Sequence, residues 1–146
     1  MIIKNLNAKK SIIDVINSLP NCIKLKPASL SQIINAEKQL KLKFSDEYRE
    51  YLKNFGAIIS DGIELSGIAN EEYRNVVALT KKEWELNSKV PHNMYVIEDT
   101  RINGIIIWQD FNGYIYKSTP NSSPMKIHDS LTEYISFKSN KIFLYL

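Results

Sequence analysis

Two histidines, one cysteine and sixteen carboxylates are the residues of this 146-residue chain with the most obvious capacity for chemistry. His128, Asp129 and Ser130 are the residue types of a nucleophilic triad. Consecutive residues, however, cannot place a base between a nucleophile and an orienting acid. They read instead as a strand end followed by a helix cap. His92, directly after Pro91, reads as a surface loop histidine. Cys22 has no activating neighbour and is expected to be a buried or half-buried thiol. Two histidines and one cysteine could at most contribute to a mixed carboxylate site, and no spacing suggests one, so no metal and no cofactor is expected. Glu64, Glu98, Asp99 and Asp110 could pair in a cleft as general acid and base. The competing reading is solvated strand ends on a recognition surface. Among Trp84, Trp108, Tyr73, Tyr114 and Tyr116, Trp108 and at least one tyrosine are expected in the core, leaving others to anchor a partner. The phosphate-loop, dinucleotide, nucleophile-elbow and metalloprotease patterns are all absent. Residue chemistry alone takes this chain no further than a soluble α+β domain.

Composition narrows the partner. The net charge is +3, unevenly spread: residues 1–60 carry +5, residues 61–110 carry −4 and residues 111–146 carry +2. Scattered lysines on polar helix faces favour solubility over nucleic-acid binding, whereas the acidic middle repels nucleic acid and suits a basic protein. One cysteine permits no intrachain disulfide and fits a reducing compartment. The first ten residues lack the apolar core of a signal peptide, and no apolar run is long enough to span a membrane. The length suits one domain over residues 1–146, large enough to fold on its own core.

The elements that must position these residues are read from periodicity. Ile12, Val15, Ile16 and Leu19 make a helical stripe over 9–19 that Pro20 stops. Ile23 and Leu25 suit a short strand. Ser29 and Gln32 form a capping box opening a helix over 29–40, with Leu30, Ile33, Ile34 and Leu40 expected to face the core. Ser45 caps the next helix, Asp46 and Glu47 lie at its positive end, and Tyr48, Tyr51, Leu52 and Phe55 form its stripe before Gly56 ends it. Asp61-Gly62 turns the chain into a strand from Ile63 to Gly67. Ile68 to Val77 reads as a loop, and Leu79 to Asn87 as a helix with Thr80 as its N-cap. Asn103-Gly104 and Asn112-Gly113 divide three strands, 95–100, 105–111 and 114–118, into a meander. A two-residue loop at Asn112-Gly113 would set Phe111 opposite Tyr114, Gln109 opposite Tyr116 and Trp108 opposite Lys117. Ile105 and Ile107 share one face, Ile106 and Trp108 the other, so this strand is expected to be central. Residues 125–128 suit an edge strand, and Asp129 or Ser130 caps a last helix with Leu131, Tyr134, Ile135 and Phe137 as its apolar set. The C-terminal IFLYL is expected to pair or pack.

The segment from Ser29 to Ile68 carries a resemblance. It reads Ser-x-x-x-Ile-x-x-Ala-Glu-x-x-Leu, a lysine-rich link, FSDEYREYLKNFGA and then GIELSGI. It resembles the SUKH superfamily through Ile33, Ala36, Glu37, Leu40, Leu42, Phe44, Ser45, Tyr48, Tyr51, Leu52, Gly56, Gly62, Ile63 and Gly67. That family takes in fungal cell-wall-synthesis regulators and bacterial toxin-immunity proteins. The resemblance implies an α+β fold in which helices pack on a mixed, mostly antiparallel sheet, without catalysis. It further implies a cytoplasmic bacterial protein that binds a cognate toxin, of nuclease type given the acidic middle, and blocks its active site. A regulatory or scaffold module of the same fold, and a small carboxylate hydrolase, are the competing readings. The expected partner-binding residues are Asp61, Glu64, Glu71, Glu72, Tyr73, Trp84, Glu98, Asp99 and Asp110. Direct nucleic-acid and membrane binding are not expected, and the sequence leaves open whether the chain forms a homodimer.

Overall fold

The computed structural model describes residues 10–144, with side chains to residue 140. The order is α1 (Ile12–Asn17), β1 (Ile23–Lys24), α2 (Leu30–Leu40), α3 (Asp46–Phe55), β2 (Ile58–Ser60) and β3 (Ile63–Leu65). A 3₁₀ turn (Glu72–Arg74), α4 (Val76–Leu86), β4 (Met94–Asp99), β5 (Ile106–Asp110), β6 (Ile115–Ser118), β7 (Met125–His128) and α5 (Leu131–Leu144) follow. The fold is α+β, with antiparallel sheets β1-β2-β3 and β4-β5-β6-β7 and one parallel bridge between Gly67 and Asn75.

The helices start where side chains can satisfy their first amides. The Ser11 and Ser45 hydroxyls accept from Asp14 N–H and Tyr48 N–H, and Ser29 and Gln32 form the full capping box. Tyr48, Tyr51, Leu52 and Phe55 are buried, so α3 contributes the stripe its spacing predicts. Tyr48 meets Phe44 and Tyr95 with ring centroids 5.0 Å from each, in an aromatic cluster at the centre of the core.

The two sheets are joined at Ser66. Its N–H donates to Ile97 O at 2.8 Å, its hydroxyl donates to Val96 O at 2.6 Å, and the Tyr51 hydroxyl donates to its carbonyl at 2.9 Å. Gly67 then passes so close to the end of α3 that an added Cβ would lie 1.7 Å from Gly56 O. A Cβ on Gly56, itself at φ 70°, would lie 2.0 Å from Lys26 O. These two glycines of the Ser29–Ile68 segment are therefore fixed by close backbone approach.

A polar line, buried at Tyr95 and Gln109 and partly exposed at Glu47, connects α3 to α5. The Tyr95 hydroxyl accepts from Ser45 N–H and donates to Gln109 Oε1; Gln109 Nε2 in turn donates to Glu47 Oε1 at 3.0 Å. The Glu47 carboxylate accepts from Leu131 N–H (2.7 Å), Thr132 N–H (3.0 Å) and the Thr132 hydroxyl (2.7 Å). Glu47, a first-turn residue of α3, thus caps α5 from across the core.

The four-stranded sheet is covered on both faces. Ile107 and Ile115 join the main core with α1, α3 and α5, while Ile106 and Trp108 pack with Leu79, Val90, Met94 and Val96 beneath α4. β5 is buried at every position and lies between β4 and β6, in agreement with its two apolar faces.

Several expectations are corrected. The β5–β6 register pairs Gln109 with Ile115 and Trp108 with Tyr116, one residue from the expected pairing. Asp110 is the cause: its Oδ1 accepts from Asn112 N–H and Tyr114 N–H, which lengthens the loop by a residue. α4 begins at Val76, not at 79, because Asn75 Oδ1 accepts from Val77 and Ala78 N–H. The Thr80 hydroxyl instead accepts from Val96 N–H, beside the β-bulge in β4. Leu30 and Ile34 are exposed, and the buried face of α2 is Ile33, Ala36, Glu37 and Leu40. Glu37 can be buried because it pairs with Arg49 and accepts from Phe44 N–H. Phe137 is exposed, since it lies off the stripe of Leu131, Tyr134 and Ile135. Trp108 is buried as expected, but Tyr73 and Tyr114 are exposed and Tyr116 half-buried; the buried tyrosines are 48, 51, 95 and 134. β2 lacked a sequence prediction. The expected packing of the terminal IFLYL falls on side chains outside the described residues.

Candidate functional site

The expected partner-binding residues fall into two groups. Asp61 stands exposed at the β2–β3 turn, where Asn21 Nδ2 donates to its Oδ2 at 2.9 Å. Glu64, on β3, faces Arg74 and Arg101, at 3.3 and 3.4 Å. Glu71, Glu72 and Tyr73 come from the 3₁₀ turn and its flank, and all three are exposed. Asp99 ends β4, where its Oδ1 accepts from Arg101 N–H at 2.9 Å. That contact holds Arg101 at φ 58°, a left-handed conformation costly for a residue with a long side chain. The Arg101 guanidinium lies 5.6 Å from the Tyr73 ring centroid and that of Arg74 lies 4.8 Å from it. A cavity of about 440 Å³ opens beside this group, lined by Glu72, Tyr73, Leu79, Lys82, Asp99 and Arg101 among others.

Glu98, Asp110 and Trp84 are not part of that face. Glu98 is 3% exposed. Its carboxylate accepts from the Tyr134 hydroxyl at 2.6 Å, from Glu64 N–H at 2.8 Å and from the Lys138 ammonium, tying β4 to β3 and α5. A buried carboxylate with three donors is a structural tie, and presenting it to a partner would require breaking all three. Asp110 shapes its own turn and accepts from the Tyr116 hydroxyl at 2.8 Å. Burial, with Asp110 second, pushes the Tyr116 phenol up to about 12. Trp84 is half-buried between the two apolar clusters and stacks on His92 at 4.2 Å. Its Nε1–H meets no acceptor among the described residues.

The electrostatics differ from the sequence expectation. Segment counting suggested an acidic face, but Arg74 and Arg101 reach back to Glu64, and Arg74 also lies 3.6 Å from Glu71. The result is a mixed-charge surface with an exposed tyrosine between two guanidinium groups. Sequence reasoning missed both arginines as members of the site. The only available signal was Arg74 beside Tyr73 in an otherwise acidic stretch.

The catalytic alternatives find little geometric support. The cavity that Asp99 lines contains neither Glu64, Glu98 nor Asp110. His128 packs against Tyr134 and Phe137, and the Ser130 hydroxyl accepts from Glu133 N–H as the cap of α5. Burial raises the Cys22 thiol pKa, which leaves it less reactive than a free cysteine. Among the described residues no three His, Cys, Asp or Glu side chains gather where they could hold a metal ion. No described helix is long and apolar enough to cross a membrane.

Two comparisons bear on the chain as a whole. No curated protein matches it significantly. The SUKH_5 family model, described as SMI1-KNR4 cell-wall, matches residues 1–138. That match extends well beyond the 29–68 segment that first suggested the family and takes in both sheets and the start of α5. The motif glycines held by backbone contact, the capped aromatic helix α3 and the antiparallel sheets agree with it, and the chain belongs to the SUKH superfamily.

Proposed function

We propose that the protein is an immunity protein, a non-enzymatic binder that neutralises a cognate bacterial toxin by occupying its active site or the path of its substrate. The observation that carries this reading is membership of the SUKH superfamily. The face around Tyr73 supports it physically. Tyrosine and arginine are the side chains most enriched at binding hot spots, and here the ring and both guanidinium groups are already gathered before a partner arrives. The carboxylates Glu71, Glu72 and Asp99 surround them, Glu64 sets the arginines in place, and Asp61 stands apart at the β2–β3 turn. An acid-rimmed surface of this kind favours encounter with a basic protein, as a nucleic-acid-cleaving toxin would be. Glu98 braces β3 behind the face, whereas Asp110, at the other end of β4 from Asp99, and Trp84, stacked on His92, lie outside it.

Co-expression with the toxin domain encoded beside the gene tests the reading. Survival is expected with the intact protein, and killing at the same rate with or without it refutes the role for that toxin. A regulatory module in wall synthesis is the second reading, favoured by the family description SMI1-KNR4 cell-wall. Association with wall-synthesis proteins, in a genome with no toxin gene alongside, would select it.

A further inference from the structure

The two asparagine–glycine pairs that connect strands of the four-stranded sheet are folded differently. Asn103 and Gly104 both have positive φ, 53° and 69°, and Ile105 N–H donates to Ile102 O at 3.0 Å. This is a two-residue primed turn. Both residues are exposed, and among the described residues no acceptor meets Gly104 N–H and no partner meets the Asn103 side-chain amide. At the second pair Gly113 is buried, and its N–H donates to Asp110 O at 3.0 Å. The Asp110 carboxylate accepts from Asn112 N–H and Tyr114 N–H, on either side of Gly113, placing a negative charge beside the amide nitrogen that would have to lose its proton.

We propose that Asn103 is a site of spontaneous deamidation and isoaspartate formation in the folded protein, and that Asn112 is protected from it. The Gly104 backbone nitrogen, having lost its proton to solvent base, attacks Asn103 Cγ. The Cγ–Nδ2 bond breaks, ammonia leaves, and a five-membered succinimide forms. Water opens that ring at either carbonyl to give aspartate or isoaspartate, so the net change is amide plus water to acid plus ammonia. Glycine in the following position offers no Cβ to hinder the attack. At Asn112 the same nitrogen is held in a hydrogen bond, buried, and set beside a carboxylate, so each condition for attack is worse.

The location gives the reaction a consequence. Arg101, two residues earlier, is held at positive φ by Asp99 and projects over Tyr73. An isoaspartyl link adds a methylene to the backbone of a turn closed by the Ile105–Ile102 hydrogen bond and braced by the Thr100 hydroxyl, and either product adds a negative charge near the guanidinium. Deamidation at Asn103 therefore alters both the charge and the geometry of the face around Tyr73.

The test is incubation of the native protein in mildly alkaline buffer, with peptide mapping by mass spectrometry and isoaspartyl methyltransferase labelling. Conversion at Asn103 is expected to be at least about tenfold faster than at Asn112, a barrier difference of ~1.4 kcal/mol, and the ratio should fall towards unity in denaturant. Equal rates in the native protein, faster conversion at Asn112, or conversion at both sites only after unfolding would each overturn the assignment.

Discussion

Replacing Glu47 with alanine should loosen α5 from the rest of the molecule. The carboxylate accepts from two N–H groups and one hydroxyl at the start of that helix and from Gln109 Nε2. Loss of a capping acceptor costs ~1 kcal/mol, and loss of a negative charge at a helix N-terminus adds ~0.3–1 kcal/mol. The orphaned amide of Gln109 adds little, because its Nε2 also donates to Gly113 O. The freed helix amides border a cavity of about 560 Å³, where water can replace part of what is lost. The expected destabilisation is ~1–2 kcal/mol, or a fall in Tm of about 3–8 °C. Glu47→Gln, which keeps one acceptor but not the charge, should cost ~1 kcal/mol. Glu50→Ala, an exposed change one turn along α3, should stay within about 0.5 kcal/mol. Circular dichroism melts give these values, and hydrogen exchange at the Leu131 and Thr132 amides reports the cap directly. A Glu47→Ala melt indistinguishable from that of Glu50→Ala, with exchange at those amides unchanged, would refute the cross-core cap.

Three further outcomes follow from the same structure. Gly67→Ala forces a Cβ to within 1.7 Å of Gly56 O, so it should cost ~3 kcal/mol or more, or prevent folding, as read by urea titration. Burial raises the phenols of Tyr48, Tyr51, Tyr95 and Tyr134 above their ordinary value of 10, so the stability they contribute is intact below that pH. Above it the unfolded chain loses protons that the folded chain keeps, at ~1.4 kcal/mol per pH unit for each tyrosine, so unfolding and phenol ionisation should occur together in an alkaline spectrophotometric titration. Ionisation of all four near pH 10 with the circular dichroism spectrum intact would contradict this. Once a toxin partner is in hand, Tyr73→Ala and Arg101→Ala should each weaken binding by ~2 kcal/mol, about thirtyfold in Kd by calorimetry, whereas Phe111→Ala, on the distant hairpin, should leave it unchanged.

The fold was largely legible because its signals are local. Caps at Ser29 and Ser45, the stripe of α3 and the two apolar faces of β5 depend on spacing within a few residues. What escaped the sequence depends on groups brought from elsewhere. Asn75 is as good a cap by residue type as Thr80, but only Thr80 has a glutamate three residues later, Glu83, and the Thr80 hydroxyl goes instead to a strand amide beside a bulge. Asp110 has the sequence context of a solvated strand end, but its carboxylate builds the turn and moves the β5–β6 register by one residue. Glu98 has the sequence context of an exposed carboxylate, yet Tyr134 and Lys138, some forty positions later, make its burial possible. Segment charge found the acidic middle without revealing that Arg74 and Arg101 return to Glu64. Pairing across a fold is invisible to a count along the chain, so the face around Tyr73 was only half visible beforehand.

The central claim is stoichiometric neutralisation, and titrating the purified protein into an activity assay of its cognate toxin domain tests it most directly. The account predicts that toxin activity falls linearly to its floor at one equivalent, and that the Tyr73→Ala variant requires a large excess to reach the same floor. Full toxin activity in the presence of excess intact protein would contradict it.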